Sequence, residues 1–352
     1  MSPDAGRRLS FIDVAGSPHE VGVVLGRFGR AALHSHFRHS AAWRELTARR
    51  ADPRIGQMAA IVRERFPRYW AELQGLAEGL ELPFEDVFLW NCRGDIWAMA
   101  PDGCTTVQLP GPPHVIGHNE DGDPDFAGEC ALARVTSEGG SVFTAFIYPG
   151  SVPGHTFAAT SAGLVQTVNN IRPLAGGSGT PRMVLTRAML DVPDLDTAVA
   201  LLKSTPRAGA FHLTLAQAGD ERLLSIEFTA QGLSVDRIAT ARVHSNHLIH
   251  ADTGRISQIV TGSSSERQRR GEALLHRSSQ PDPQSRAADI LWDATDPELP
   301  IYRTDPADGD IENTLATAVF RIGADKVEWS VYDRPREAAR FEMRDGLVPV
   351  AA

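Results

Sequence analysis

Cysteine is scarce in this chain. Only Cys92, Cys104 and Cys130 occur in 352 residues, too few and too scattered for a disulfide framework or a zinc site, which fits a reducing compartment. No run of 18 apolar residues is present, so no segment reads as a membrane span. The first residues, Met1 to Arg8, lack the apolar stretch of a secretory signal, and a cytoplasmic location is the expectation. Positive charge is also in deficit: 35 Lys and Arg stand against 44 Asp and Glu, a formal net charge of -9. That balance argues against nucleic acid or an anionic membrane as the main partner. Internal repeats and long low-complexity linkers are missing, and by composition only Gly176-Gly177-Ser178-Gly179 reads as a mobile loop. With 42% hydrophobic content, the chain can bury a large core as one domain or two.

What is present concentrates on one cysteine. Asp102-Gly103-Cys104-Thr105-Thr106-Val107 places a thiol directly after a glycine, at the start of a β-branched run. Gly103 removes bulk on the carbonyl side of the bond, so a Cys104 thiolate can reach the Gly103 carbonyl and shift the acyl group from nitrogen to sulfur. Hydrolysis of that thioester frees Cys104 as a new N-terminus. A free α-amino group titrates at roughly 7.7 to 8.0, so near neutral pH it can take the proton from its own thiol. A bare Gly-Cys pair decides nothing by itself, because a small buried cysteine is usually packing.

The residues that follow carry more weight. In order come His114-Val115-Ile116-Gly117-His118-Asn119-Glu120-Asp121, Ala162-Gly163-Leu164-Val165-Gln166-Thr167-Val168-Asn169-Asn170, Val243-His244-Ser245-Asn246-His247 and Ser264-Ser265-Glu266-Arg267-Gln268-Arg269-Arg270. Val14 to Gly22 precedes them and Glu312-Asn313-Thr314-Leu315-Ala316-Thr317 closes the set. The ordered series resembles the acyl-coenzyme A:6-aminopenicillanic acid acyltransferase family of N-terminal nucleophile hydrolases, relatives of the penicillin V and bile salt amidases.

That resemblance implies roles residue by residue. Cys104 is the nucleophile. Asp121, the aspartate of a Gly-x-Asn-x-Asp turn formed by Gly117, Asn119 and Asp121, holds the freed amine. Asn246 supplies an oxyanion donor, a contribution of around 3 kcal/mol when lost. Asn169 or Asn170 offers a backbone N–H and a substrate contact, with the choice between them open, and Thr105 and His118 line the same region. The position that holds a substrate-binding arginine in the amidases is His118 here, so that arginine does not carry over. Arg267, on the same helix face as Arg270, approaches the site. The plain alternatives are a solvated acidic turn around Asp121, a turn asparagine at Asn246 and a solvated basic helix face at Arg267. Two metal readings fail: Asp121-Gly122-Asp123-Pro124-Asp125 is too short for a calcium loop, and His244, His247 and His250 scatter without a completing ligand.

The organisation changes at Cys104. Before it, proline and aspartate caps mark helices over 18–49, 52–65 and 67–80, with a short fourth from Pro83, so the first 103 residues read as mostly helical. After it, short β-rich runs take over: 104–109, 114–117, 129–135, 141–148, 156–160 and 164–168, then 211–216, 223–228, 233–236 and 241–244. Helical pairs interrupt at 181–190 and 195–202, and at 264–276 and 283–293, before a last hairpin of 316–322 and 327–332. The expectation is an α+β fold, the four-layer αββα sandwich that the resemblance also implies.

Function follows as a self-processing amide hydrolase or acyltransferase. It is cut between Gly103 and Cys104 into a helical fragment, 1–103, and a catalytic fragment, 104–352, that stay together as one folded unit. Its partners are a small-molecule amide or acyl-coenzyme A and its own cleaved fragment; no metal or organic cofactor is needed, and homo-oligomerisation is left open. Trp90, Trp97 and Met99 suggest an apolar acyl group. A papain-like cysteine protease using Cys104 with His244 or His118 is a second reading, although that family's local signatures are missing. A non-catalytic binding protein of the same fold is a third.

Overall fold

Helix starts follow their caps. In the computed structural model, which describes residues 8–100, 103–277 and 280–350, α1 (Pro18–Ser35) opens on a capping box between Ser17 and Glu20. Asp102 of the cysteine motif lies outside the described residues. The expected run 18–49 breaks at a 3-10 turn, Phe37–His39, and restarts under a new Ser40 cap as α2 (Ala41–Thr47). Asp52 caps α3 (Pro53–Arg65), α4 (Pro67–Leu80) ends on Glu81 in a left-handed conformation, and α5 (Phe84–Trp90) and α6 (Arg93–Ile96) follow.

The segment before Cys104 is not purely helical. Ser10–Gly16 forms β1, which pairs in parallel with β4 (Ala131–Ser137) through seven residues. Thus the N-terminal segment contributes an edge strand to a sheet built otherwise from the rest of the chain.

The crossing of α1 and α4 is set by glycine. A Cβ on Gly22 would lie 2.0 Å from the Glu72 carbonyl oxygen, one on Gly26 2.4 Å from that of Leu76, and one on Gly75 2.0 Å from that of His19. Backbones this close tolerate no methyl group, so Gly22→Ala must push the helices apart. We expect a loss of about 3 kcal/mol, the upper range for overpacking, read as a lower denaturant midpoint. Gly56→Ala in α3, where nothing lies within 4 Å of the new Cβ, should instead hold or raise stability by up to about 1 kcal/mol.

Fourteen strands among the described residues make two sheets. β4, β5 (Val142–Ile147), β6 (Phe157–Thr160), β7 (Leu164–Asn170), β8 (Phe211–Gln217), β9 (Leu223–Phe228) and β10 (Leu233–Arg237) run antiparallel in sequence order, with β1 added outside β4. The second sheet has the order β11-β2-β3-β12-β13-β14. It comprises β2 (Gly103–Leu109), β3 (His114–Gly122), β11 (Arg242–His244), β12 (Asn313–Ile322), β13 (Val327–Tyr332) and β14 (Phe341–Met343).

The sheets face each other, as the Phe157 ring of β6 meeting Phe320 of β12 and Trp329 of β13 shows. Helices α7 (Arg182–Met189) and α8 (Leu195–Ser204) lie on the first sheet's side with α1 and α4. On the other side, α9 (Gly262–Arg277) and α10 (Pro283–Leu291) cover the second sheet, enclosing a smaller core around Val107, Val243 and Leu291. The chain is an α+β fold of helix, sheet, sheet and helix layers.

Two expectations change. β3 runs through to Gly122, so Asp121 sits in a fully buried strand rather than on a turn. The 176–179 glycine stretch is pinned: Gly177 N–H donates to the Ala208 carbonyl at 2.7 Å, and Thr180 bridges Arg207. Trp90 packs in the core against Phe37 and Trp43.

Candidate active site

Strand alternation sorts the cysteine motif onto two faces. Cys104, Thr106 and Gln108 of β2 point toward the first sheet, where Thr106 Oγ1 donates to Asn169 Oδ1 at 2.7 Å and Gln108 Nε2 to Thr214 Oγ1 at 2.7 Å. Gly103, Thr105 and Val107 face α9 and α10. In the β2–β3 register, Gly103 opposes Asp121, Cys104 opposes Glu120, and Thr106 opposes His118. The thiol therefore shares its face with Glu120 and His118, and Asp121 lies on the other.

Cys104 is held through its backbone. Its N–H donates to Asn246 Oδ1 at 3.0 Å, and its carbonyl accepts from the Arg267 guanidinium. Only 3% of the residue is exposed, so the sulfur has little contact with solvent. The thiol lies 3.9 Å from Glu120 Oε2.

Arg267 ties the predicted residues together. From α9 it donates to Thr105 Oγ1 at 2.9 Å, to Asn246 Oδ1 at 2.7 Å and to Ser263 Oγ at 3.2 Å, and it stands 4.0 Å from Asp121 Oδ2. The basic-face alternative thus does not describe Arg267, which is 1% exposed, whereas Arg269 does point outward to pair with Glu266.

Asp121 has one satisfied oxygen. Oδ1 accepts from Thr314 Oγ1 at 2.6 Å, while Oδ2, although buried, has no hydrogen-bond partner among the described residues. Burial pushes this carboxyl above its ordinary value, and the Arg267 and Arg303 guanidiniums with the Thr314 hydroxyl pull it back. A Cβ on Gly103 would lie 3.6 Å from Oδ2 and 3.2 Å from the Asp121 Cβ. The unused oxygen is therefore beside Gly103.

Asn246 presents its oxygen to Cys104; its Nδ2 donates to the Asn170 carbonyl at 3.0 Å. The two neighbouring asparagines diverge. Asn170 meets Asn246 through its backbone and accepts from Arg182 at 2.5 Å through its side chain. Asn169 turns its side chain between the sheets, to Thr106 and His212. Of the pair, Asn170 reaches Asn246, whose oxygen holds the Cys104 N–H.

Sequence reasoning passed over Glu120, Tyr148, Ser263, Arg303 and Thr314. Glu120 Oε1 accepts from Tyr148 OH at 2.9 Å, and Oε2 is 3.1 Å from His118 Nε2. Arg303 donates to Ser263 Oγ at 2.6 Å and to Asp308 at 2.8 and 2.9 Å. Thr314 stood in the quoted closing motif, and Glu120 in the motif of Asp121; a strand through residue 122 was the signal that would have separated the two acids.

The histidines near Asn246 have individual partners. His244 stacks on His212 with centroids 3.4 Å apart, and its ring nitrogens face Glu227 Oε1 and the Ser245 carbonyl, both at 2.9 Å. Burial opposes ionisation of Glu227, yet the bond and charge of His244 hold its carboxyl down to about 2. His247 meets Ser264 Oγ at 2.8 Å and His250 meets Ser225 Oγ at 2.9 Å. This network fixes the segment that carries Asn246. Among the described residues, the one His/Cys/Asp/Glu group with metal-ligand spacing is Cys104, His118 and Glu120, whose ligand atoms lie within 4.8 Å of one another.

Buried histidines make the protein acid-sensitive. Burial lowers His118 to about 3, so between that value and its ordinary 6.5 the unfolded chain binds a proton that the folded chain refuses. Stability then falls as pH drops through this window, by about 2 kcal/mol at pH 5 from His118 alone at 1.4 kcal/mol per unit. His212 and His247 act in the same direction. Asp95, raised to about 6, offsets part of the loss because its folded carboxyl protonates first. Urea melts at pH 7 and pH 5 should show the net decrease.

Comparisons with known proteins show what the chain is similar to. The family model for acyl-coenzyme A:6-aminopenicillanic acid acyl-transferase matches residues 109–336. The β-alanyl-dopamine/carcinine hydrolase of Drosophila melanogaster is 24% identical over 319 residues, covering 78% of this chain and 79% of that protein. A crystal structure of a variant of the conjugated bile acid hydrolase from Clostridium perfringens aligns with a TM-score of 0.45 at 10% identity, over 66% of this chain and 90% of that one.

Proposed function

Because this chain belongs to the acyl-coenzyme A:6-aminopenicillanic acid acyl-transferase family, we propose that it is an amide hydrolase or acyltransferase that cuts itself between Gly103 and Cys104 and then uses Cys104 as its N-terminal nucleophile. The observation that carries this reading is an oxygen bonded to the Cys104 N–H with a second, unbonded oxygen next to the preceding glycine. Asn246 Oδ1 already accepts from Cys104 N–H, and Asp121 Oδ2 waits without a partner beside Gly103. An amide nitrogen has one hydrogen to give. An α-ammonium has three, and can serve both oxygens.

In the mature enzyme the amine takes the thiol proton, and the thiolate attacks the carbonyl of a small N-acyl amide or an acyl thioester. Asn246 Nδ2 gives one hydrogen to the Asn170 carbonyl and offers its second, with a backbone N–H, to the developing oxyanion, and Arg267 keeps Asn246 and Cys104 in register. The amine then protonates the leaving group, and water or an acceptor amine takes the acyl group. The name of the Drosophila relative places β-alanyl amides among that enzyme's substrates, which favours a short N-acyl amide here. Fragments 1–103 and 104–352 stay together because β1 remains paired with β4 and α1 stays packed beneath the first sheet.

Intact-mass measurement of the purified protein tests this directly. Two co-purifying fragments, the larger beginning at Cys104, support it; a panel of N-acyl amides and acyl thioesters then separates hydrolysis from transfer. The protease alternative has one observation in its favour, the His118 ring within 4.8 Å of the thiol. Burial leaves that ring a weak base at about 3, and an uncut but active chain would be required.

A further inference from the structure

Self-cleavage meets a difficulty that mature turnover does not. Before the cut, Cys104 nitrogen is an amide without useful basicity, so the amine that later accepts the thiol proton does not yet exist. Another group has to take that proton. Asp121 is placed poorly for it: strand alternation sets its carboxylate on the α9 side, against Thr314 and Arg267. Glu120, the direct cross-strand partner of Cys104, lies on the thiol's own face with Oε2 3.9 Å from the sulfur.

Building on the self-cleavage reading, we propose that Glu120 is the base of the first step, with Tyr148 and His118 as its positioning residues. Tyr148 OH fixes Oε1 at 2.9 Å, and the His118 ring, itself set by Thr106 Oγ1 at 2.8 Å, stands 3.1 Å from Oε2. The thiol proton passes to Oε2 and the thiolate adds to the Gly103 carbonyl carbon. The bond from that carbon to Cys104 nitrogen breaks as the nitrogen receives the proton from Glu120. The product is a Gly103–Cys104 thioester, which water hydrolyses to a Gly103 carboxylate and a free thiol. Oε2 gives back the proton it took, so Glu120 is unchanged over the step.

The full chain made by cell-free synthesis and followed by gel and mass tests this. Glu120→Gln should slow the cut by at least about a hundredfold, the lower range for losing a general base, while keeping the thermal midpoint, and Glu120→Asp should retain a slow cut. A Glu120→Gln chain that cuts within a few-fold of wild type overturns the proposal. Should that variant not fold, the wild-type rate decides between pH 6 and pH 9. Among the described residues, the groups facing Glu120 include His118, Cys104, Tyr148 and, through its charge, Cys130. With an internal base the rate levels off, whereas a tenfold rise per unit throughout means solvent hydroxide does the work and sinks the idea. A wild-type chain that never cuts overturns the self-cleavage reading itself, a different outcome from a wild type that cuts equally well without Glu120.

Discussion

Cys104→Ala should give a single uncut chain with no measurable acyl turnover. On the proposed reading both losses follow from one atom, since the same sulfur would attack in the cut and in catalysis; removal of a nucleophile costs at least about a thousandfold. The fold should survive. The N–H to Asn246 and the carbonyl to Arg267 belong to the backbone and remain, and the void left by one sulfur costs on the order of 1 kcal/mol. Cys104→Ser keeps a weaker nucleophile, so slow cutting with little turnover is expected. Iodoacetamide adds a second readout: burial pushes the Cys92 and Cys130 thiols well above their ordinary value, so labelling of the folded mature enzyme should fall on Cys104 and vanish in the alanine variant. A Cys104→Ala chain that still separates at residue 103 would exclude this sulfur from the cut.

Much of this arrangement was legible from residue pattern. The β-rich runs after Cys104 and both helical pairs sit within a few residues of their expected places, because hairpin turns and proline caps are local signals. β1 was not legible. Its partner β4 is more than a hundred residues away and parallel, so no turn announces the pairing, and its half-exposed sequence SFIDVAG lacks clean alternation. The second half of β3, His118 to Gly122, reads as a polar turn for a different reason. Its polar side chains find partners on the flanking strands, Thr106 of β2 and Thr314 of β12, and on other layers, Tyr148 and the α10 carbonyl of Leu291, and only packing reveals that. Extending the strand by a few residues is what puts Glu120 and Asp121 on opposite faces, the first beside the thiol and the second beside Gly103.

That separation predicts contrasting behaviour for adjacent acids. Asp121→Asn should still be cut, because its carboxylate does not face the thiol, yet the processed enzyme should turn over about a hundredfold more slowly, the range for losing support of a proton carrier. The Asn side chain keeps an oxygen for Thr314 and replaces the unpartnered Oδ2 by an amide that cannot hold an ammonium. Without the anion, the charged form of the Cys104 amine is less favoured, so its pKa falls, by about one unit for a charge removed at this range. The acid limb of kcat/KM, which reports that amine in the free enzyme, then moves to lower pH even as the maximum drops. Merely loosening the fold would lower the rate at every pH without moving the limb. Profiles of wild type and Asp121→Asn, recorded on protein shown by mass to be fully cut, decide between the two: an unmoved limb means that Asp121 does not hold the amine.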